Sequence, residues 1–591
     1  MAYKRLFSSV SNLSDRVVDT FRRSLAYRNA LPQLAILAVV IGLAVGLVIA
    51  AFRMIIDAAL SGLLEGEVDN FEQLDLLTRS VLIAIGTLLL ISLMGRIKGH
   101  RREMSVAHVM DRLTNHQGYI HWKNTVLQFF TGIVAMVSGQ SVGREGPAVH
   151  LGGGIASLLG RAMRLPNNSA PTLIACGVSA AIAASFNTPM AAVIFAIEVV
   201  VVEYSSISLL PVILSAVMGA LINRAFFDKP LYEIVSHVGD IAIAELPLLI
   251  LLGACISVAA SAYIRLNILS LRISERLMPS ISLRLVTAGV LTIVVAAAVP
   301  AVMGLGYDTI NAAINVSVSL SLLLIIGLCK LVLTPVVVGL GMPGGVIGPM
   351  LIIGACFGAA FGIIVQELFG MGGQHIGLYA ALGMAGMMAA TLNAPLASLI
   401  TVLELSYNPD LIFPAMIVIV VASIGTRYSF GMEGMFVEQL KYSRRELDFS
   451  PAKIALRRIG VNSILDRSFR ISEKKLNYEE AKLALASNPK WLIFEDNTTM
   501  NALVAADLAR FIENAPVDVL SLSEDIDLAK IPGRRFEMLP IHGTANLDET
   551  LQAMRETQRK ALYVRSGTTA LVSNIQGIVT IDAIETFYLP R

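Results

Sequence analysis

Six long apolar runs limit what this chain can become: Leu31–Ala50, Val81–Met94, Leu248–Ala262, Leu285–Val302, Val318–Leu340 and Leu411–Ser423. Several approach the ~20 residues that cross a hydrocarbon layer and others fall short, so apolar pieces broken by Gly and Pro matter as much as the long ones. Of the 591 residues, 55% are hydrophobic and 15% charged. A soluble core cannot hide that much apolar surface, and the bilayer becomes the solvent for most of the chain. Basic residues cluster before the first run (Lys4 to Arg28), at Arg96–Arg102, at Arg265–Arg284 and at Lys441–Arg458. The positive-inside rule places these segments and both chain ends in the cytoplasm, with an even number of crossings between them. The first run is too long for a signal peptide and lacks a small-residue cleavage site. The net charge of +2 points to no nucleic acid. Cys176, Cys255, Cys329 and Cys356 sit singly in apolar stretches and read as packed, reduced thiols; with no CxxC or HExxH, no metal site is expected.

Apolar character stops near Leu440. The chain then divides into a cytoplasmic segment 1–30, a membrane region 31–440, a basic linker 441–460 and a soluble tail 461–591. The membrane region repeats itself. Cys176–Val200 aligns with Leu382–Ser406, so that Asn187, Pro189 and Glu198 fall on Asn393, Pro395 and Glu404 at one constant offset. A second echo sets Gly146-Pro147 and Gly152 on Gly348-Pro349 and Gly354. Helix packing alone explains single glycines but not an ordered pattern, and paired Gly/Pro-interrupted segments mark a binding site at a repeat interface.

The chemistry concentrates in two of these segments, Gly139–Gly154 (GQSVGREGPAVHLGGG) and Gly341–Gly354 (GMPGGVIGPMLIIG). In each, a proline opens an apolar helix whose first N–H groups lack partners and carry partial positive charge. Two such ends meeting at mid-membrane would hold a desolvated anion weakly enough to release it, as a fixed lysine would not. Glu145 lies in the first segment. As a carboxylate it can occupy the anion's place, and when protonated or swung away it vacates that place. Arg144 reads as its salt-bridge partner. His150, one turn further on, reads as a hydrogen-bonded core histidine, the alternative being a group that tunes the gate.

GREGP at Gly143–Pro147 and GVIGP at Gly345–Pro349 resemble two of the three signature segments of the CLC family of chloride channels and proton-coupled chloride transporters. The Phe129-Phe130 pair and the repeated Asn-x-Pro helices fit as well, and the resemblance spans roughly Leu31 to Leu440. It implies an all-α polytopic membrane fold of two inverted halves, a homodimer with one pore per subunit, and Glu145 as the gating glutamate. Its backbone anion donors fall on Gly146, Val346 and Ile347. The first motif is absent: Arg101–Ala107 reads RREMSVA, with Ser105 as the counterpart of a chloride-coordinating serine. Phe436 stands where the family has a central tyrosine, without its hydroxyl. In proton-coupled members a second glutamate directly follows the first, whereas here Val199 follows Glu198. Glu198 itself, echoed by Glu404, reads as a structural carboxylate on backbone N–H groups.

The tail holds two similar units. The first has a helix at Asn477–Ser487, a strand at Lys490–Glu495 and Ala502–Ile512; the second has a strand at Ala561–Val564 before GIVTIDAIETF. Their order resembles a CBS-domain pair, an α/β module that often binds adenine nucleotides. Thr580 and Asp582 are the candidate contacts, with Asp507 in the first unit. The expected function is passive, chloride-selective conduction gated by Glu145 in the plasma (inner) membrane; the alternative is chloride/proton exchange by a modified proton route. An enzyme is not expected, because Ser105 and His108 stand one turn apart without a GxSxG context or a third partner.

Overall fold

A computed structural model describes residues 25, 30–64, 70–97, 102–202, 206–227, 245–370, 376–445, 450–496, 499–514, 525–565 and 575–588. Most of segment 1–30, His100 and Arg101, and part of the linker lie outside the described residues. The chain forms two compact units, one of residues 34–162 and 170–447, the other of 448–591 joined by 1–33 and the short loop Met163–Ser169.

The membrane unit is helical. It comprises α1 (Leu31–Leu63), α2 (Leu76–Gly95), α3 (Val106–Asn115), α4 (Trp122–Val137), α5 (Glu145–Ala162), α6 (Ala170–Phe186), α7 (Pro189–Phe195), α8 (Ser206–Phe226), α9 (Leu246–Leu277), α10 (Ile281–Ala298), α11 (Tyr307–Ile314), α12 (Leu320–Gly339), α13 (Ile347–Phe369), α14 (Ile376–Leu392), α15 (Pro395–Ser406), α16 (Ile412–Ile424) and α17 (Met435–Tyr442). Among the described residues, nine helical segments are long and apolar enough to cross a membrane; α14 and α15 are apolar but shorter. Local signals set where the helices begin. Asp75 caps α2 by accepting from Leu77 N and Thr78 N at 3.1 and 3.3 Å. Pro189 and Pro395 open α7 and α15, where a missing N–H costs nothing.

The repeat is visible in three dimensions. Asn187 and Asn393 both adopt the left-handed conformation, at φ 57° and 56°, immediately before the two proline-led helices; asparagine tolerates it better than most residues. α5 packs on α6 and α13 on α14. Gly152 faces Gly177 in the first pair and Gly354 faces Gly383 in the second, so closely that a Cβ on any of them would overlap the opposing backbone. Small residues let helices in lipid approach to van der Waals contact, where water drives no association.

The other unit holds α18 (Pro451–Arg457) and a duplicated α/β motif. β1 (Phe469–Ile471), β2 (Lys475–Leu476), α19 (Tyr478–Leu485), β3 (Trp491–Asp496), β4 (Thr499–Val504) and α20 (Ala505–Asn514) form the first copy. β6 (Arg535–His542), α21 (Leu547–Thr557), β7 (Ala561–Arg565), β8 (Ile575–Thr580) and α22 (Ile581–Tyr588) form the second, while β5 (Ile526–Asp527) between them pairs with β2 of the first. One six-stranded sheet runs β1-β3-β4-β6-β7-β8. Within each copy a parallel pair, β1-β3 or β6-β7, encloses a helix in sequence, and the copies join where β4 meets β6 antiparallel. Ala502 of the expected second helix belongs to β4; the helix starts at Ala505. Phe494, Leu503 and Leu508 centre one core, and Leu547, Leu562 and Val579 the other. The loop Met163–Ser169 is held on this unit: Asn167 N donates to Thr544 O at 2.9 Å, and its amide donates to both carboxylate oxygens of Glu549 at 3.1 and 3.0 Å. This α/β region is consistent with a CBS pair.

Candidate functional site: two helix starts around Glu145

The two motif loops bond to each other. Gly143 N donates to Gly345 O at 2.8 Å, and Gly345 N donates to Gly143 O at 2.6 Å, an isolated antiparallel bridge. Gly345 and Gly146 are required by proximity: a Cβ on Gly345 would stand 2.5 Å from Gly146 N, and one on Gly146 would stand 2.7 Å from Gly345 Cα. The bridge sets the start of α5 beside that of α13. Helix geometry leaves the first N–H groups of each without an intrahelical acceptor. Gly146 is thereby set beside the Gly345–Ile347 segment.

Glu145 is the first residue of α5 and is 1% exposed. Its carboxylate lies against the other helix start, where a Cβ on Gly348 would be 2.9 Å from Oε1. Neither carboxylate oxygen takes a hydrogen bond of normal geometry. Beside it is a cavity of about 30 Å³, lined by Ile347, Phe195, Leu351, Met388 and Leu405 among others. That is room for a single small ion or water.

Arg144 is placed differently from expectation. Its guanidinium donates to Ser185 O at 2.9 Å and lies 5.0 Å from the ring centres of both Phe186 and Tyr307. Aromatic faces and a carbonyl hold it, and its charge reaches Glu145 only through space. Lys330 was missed by the sequence reading. It is fully buried in α12, with Nζ 3.4 Å from Gly304 O, and its charge also acts on Glu145. The available signal was a lone cation in the run Val318–Leu340.

Glu198 and Glu404 behave as the echo suggests, with an exchange the sequence does not show. Glu198 accepts from Leu396 N and Ala397 N at 3.2 and 2.7 Å, the first turn of α15. Glu404 accepts from Met190 N and Ala191 N at 2.9 and 2.8 Å, the first turn of α7. Each repeat caps the helix of the other, and hydrogen bonds to a charged group contribute about 1.5–3 kcal/mol apiece. Val199 is buried and offers no proton-carrying atom.

A second cavity, about 780 Å³, is lined by Ser105, Glu103, His108, Gly344 and the cations Arg102, Arg276 and Arg444. Ser105 lies on this cavity. It caps α3, its Oγ accepting His108 N at 3.4 Å. Phe436 is buried in the first turn of α17, which packs on α3. His150 corrects the expectation of a hydrogen-bonded core residue: it is fully buried, and neither ring nitrogen has a hydrogen-bond partner.

In the tail, Thr580 and Asp582 line a cavity of about 1400 Å³ together with Trp491, Phe536, Lys490 and Arg534. Aromatic faces and cations around one cleft suit a base and its phosphates. Asp507 also borders the cleft, but its Oδ2 accepts Arg534 N at 2.9 Å.

Three solved structures share the fold. A slow cyanobacterial Cl-/H+ antiporter matches at 22% identity and TM-score 0.63, over 69% of this chain and 97% of its own. A CLC-type fluoride/proton antiporter matches at 23% and 0.56, over 69% and 98%. A eukaryotic CLC transporter matches at 18% and 0.56, over 93% and 97%. The family described as voltage gated chloride channel matches residues 81–427, more than half of the chain. With its two signature loops bonded to each other and the family's model matching more than half of its length, the chain belongs to the voltage gated chloride channel family.

Proposed function

We propose that the protein carries chloride passively across the membrane through a path gated by Glu145. The supporting observation is the position of that carboxylate, at the meeting of two helix starts beside an ion-sized cavity. Charged Glu145 competes with the anion for the same N–H dipoles, and a proton on it removes the competition. Partial charges, helped at a distance by Arg144 and Lys330, hold the halide without trapping it. Val199 at the family's proton position, and Leu405 at its echo, favour conduction without obligatory proton movement. Exchange of chloride for protons is the second reading, favoured by the buried imidazole pair His108 and His150, whose ring centres are 5.3 Å apart. The reading includes a homodimer in the plasma (inner) membrane, a tail cleft that takes an adenine nucleotide, and no enzymatic activity; the Ser105 oxygen is engaged as a helix cap. Chloride efflux from reconstituted vesicles tests it. Glu145→Gln should flatten the dependence of efflux on pH, and a variant that responds to pH like the parent removes Glu145 from the gate. Rapid efflux without uphill proton movement supports conduction, whereas stoichiometric proton movement supports exchange.

A further inference from the structure

Met163–Ser169, the loop between α5 and α6, folds with the tail and not with the helices that it joins. Leu165 is 8% exposed and Pro166 is buried. Two asparagines follow, and both give their amides to acceptors of the same unit. Asn167 N donates to Thr544 O at 2.9 Å, and Asn167 Nδ2 donates to Oε1 and Oε2 of Glu549 at 3.1 and 3.0 Å. Asn168 Nδ2 donates to Leu25 O at 3.0 Å and to Arg458 O at 3.2 Å.

The first tail copy shows what this arrangement replaces. Both copies carry Asn-x-x-Glu at the start of a helix, Asn477 to Glu480 and Asn546 to Glu549. Glu480 reaches back to accept Asn477 N at 2.9 Å, which closes a capping box on its own helix. Its counterpart Glu549 accepts from Asn546 Nδ2 at 2.8 Å and from the loop. A carboxyl group that serves its own helix in one copy holds a distant segment of the chain in the other.

We infer that Asn167 and Glu549 form a proton-operated latch, which fastens the loop after α5 to the second tail copy while Glu549 is protonated and loosens when Glu549 ionises. The loop covers the carboxyl and displaces water that a carboxylate needs more than a neutral acid does. Burial accordingly pushes the Glu549 carboxyl up to about 7, with Asp548 adding to the effect and Asn167, Asn546 and Arg457 opposing it. The latched value lies above the ordinary one of 4.5. Latching is therefore at full strength below pH 4.5 and weakens by about tenfold between pH 6 and 8. Because the loop continues directly from Ala162, the last residue of α5, its release frees the far end of the helix that begins with Glu145.

Other charges around the latch are few. Helix α21 itself carries Asp548, Arg555 and Glu556, and α18, packed on it, brings Lys453 and Arg457; Arg457 Nε donates to Asp548 Oδ2 at 3.0 Å. α22 adds Asp582 and Glu585, both exposed, β7 adds Arg565, and the loop adds Arg164, also exposed. His542, at the end of β6, is the competing titratable group, since its Nδ1 lies 2.7 Å from Thr544 Oγ1.

Hydrogen exchange of the loop amides tests the latch, read by mass spectrometry on the full chain in lipid nanodiscs and corrected for the intrinsic effect of pH. Wild-type protection of the loop should fall about tenfold from pH 6 to pH 8. Glu549→Gln cannot ionise and keeps an acceptor for Asn167, so its protection should stay within about twofold over that range. Asn167→Ala should lose most of the protection at both values. Chloride efflux from vesicles held at pH 6 or pH 8 on both sides tests the consequence: the ratio of wild-type to Glu549→Gln rates should change by about fivefold or more. Level wild-type protection overturns the latch, and so does a parental fall in Glu549→Gln, which would move the titration to His542. A constant efflux ratio overturns the latch's hold on α5. The ratio cancels any pH response of Glu145, so a failure of the gate reading leaves this outcome unchanged. Should Glu549→Gln fail to assemble, Asn167→Ala decides, because a pH-dependent loop exchange that persists without the amide overturns the latch.

Discussion

The two halves of the membrane unit agree in backbone and differ in a few side chains, and those differences separate scaffold from chemistry. Gly143 and Gly345 bond symmetrically, and α5 and α13 start at equivalent positions. Glu198 and Glu404 cap one another's helices with nearly matching distances. Where the first half has Arg144, Glu145 and His150, the second has Val346, Ile347 and Ile352. A carboxylate with a twin is bound by a partner helix; the carboxylate without one, Glu145, is the proposed gate. The tail repeats the lesson. Asn477 and Asn546 cap α19 and α21 in the same way, each with a glutamate three residues on. Glu480 closes its own capping box by accepting Asn477 N at 2.9 Å, while Glu549 is claimed by Asn167 from the loop after α5.

This comparison can be broken most severely at the shared bridge. Gly345→Ala would drive a methyl group into Gly146 N, and chloride efflux should be lost along with most correctly assembled protein on gel filtration. Retained transport would mean the two loops need not touch. The unmatched Glu549 comes next. Burial, opposed by the Asn167 amide, pushes its carboxyl up to about 7. A folded-state value above the unfolded one makes the group harmless below pH 4.5, and stability is lost as pH climbs through about 7, by up to about 3 kcal/mol. Glu549→Gln should flatten thermal unfolding of the full chain between pH 5 and 8, whereas an unchanged slope would place the titration elsewhere. The matched carboxylates should cost less and cost the same: Glu198→Gln and Glu404→Gln each about 1–2 kcal/mol by thermal unfolding in detergent. A clear inequality between them would assign the costlier one a second duty. The smallest effect belongs to Lys330→Met, which should weaken chloride binding by roughly fivefold, about 1 kcal/mol, in calorimetry.

Much of this was legible because the informative residues act through the backbone. Pro147, Pro349 and the glycines around them fix helix starts by local rules, so the chain alone places Glu145 at the head of α5. The constant spacing of Asn187, Pro189 and Glu198 from their echoes announced the duplication. Long-range partners were not legible. Nothing near Glu198 in sequence says that its acceptors serve α15, and Arg144 could not reveal a resting place between Phe186 and Tyr307. His108 and His150 are 42 positions apart on different helices, and only packing of α3 against α5 brings the rings together. Lys330 went unnoticed because one charge within a long apolar run resembles a tolerated exception.

The exchanged caps bear on how the chain is made. The first turn of α7 receives its acceptor from a residue 213 positions downstream. At ordinary synthesis speeds of 5–20 residues per second, that leaves roughly 10–40 seconds in which the α7 donors face lipid or the insertion machinery unmet. The cap of α7 is complete only once the second half has been made, and a ribosome stalled between the halves would leave those donors unmet.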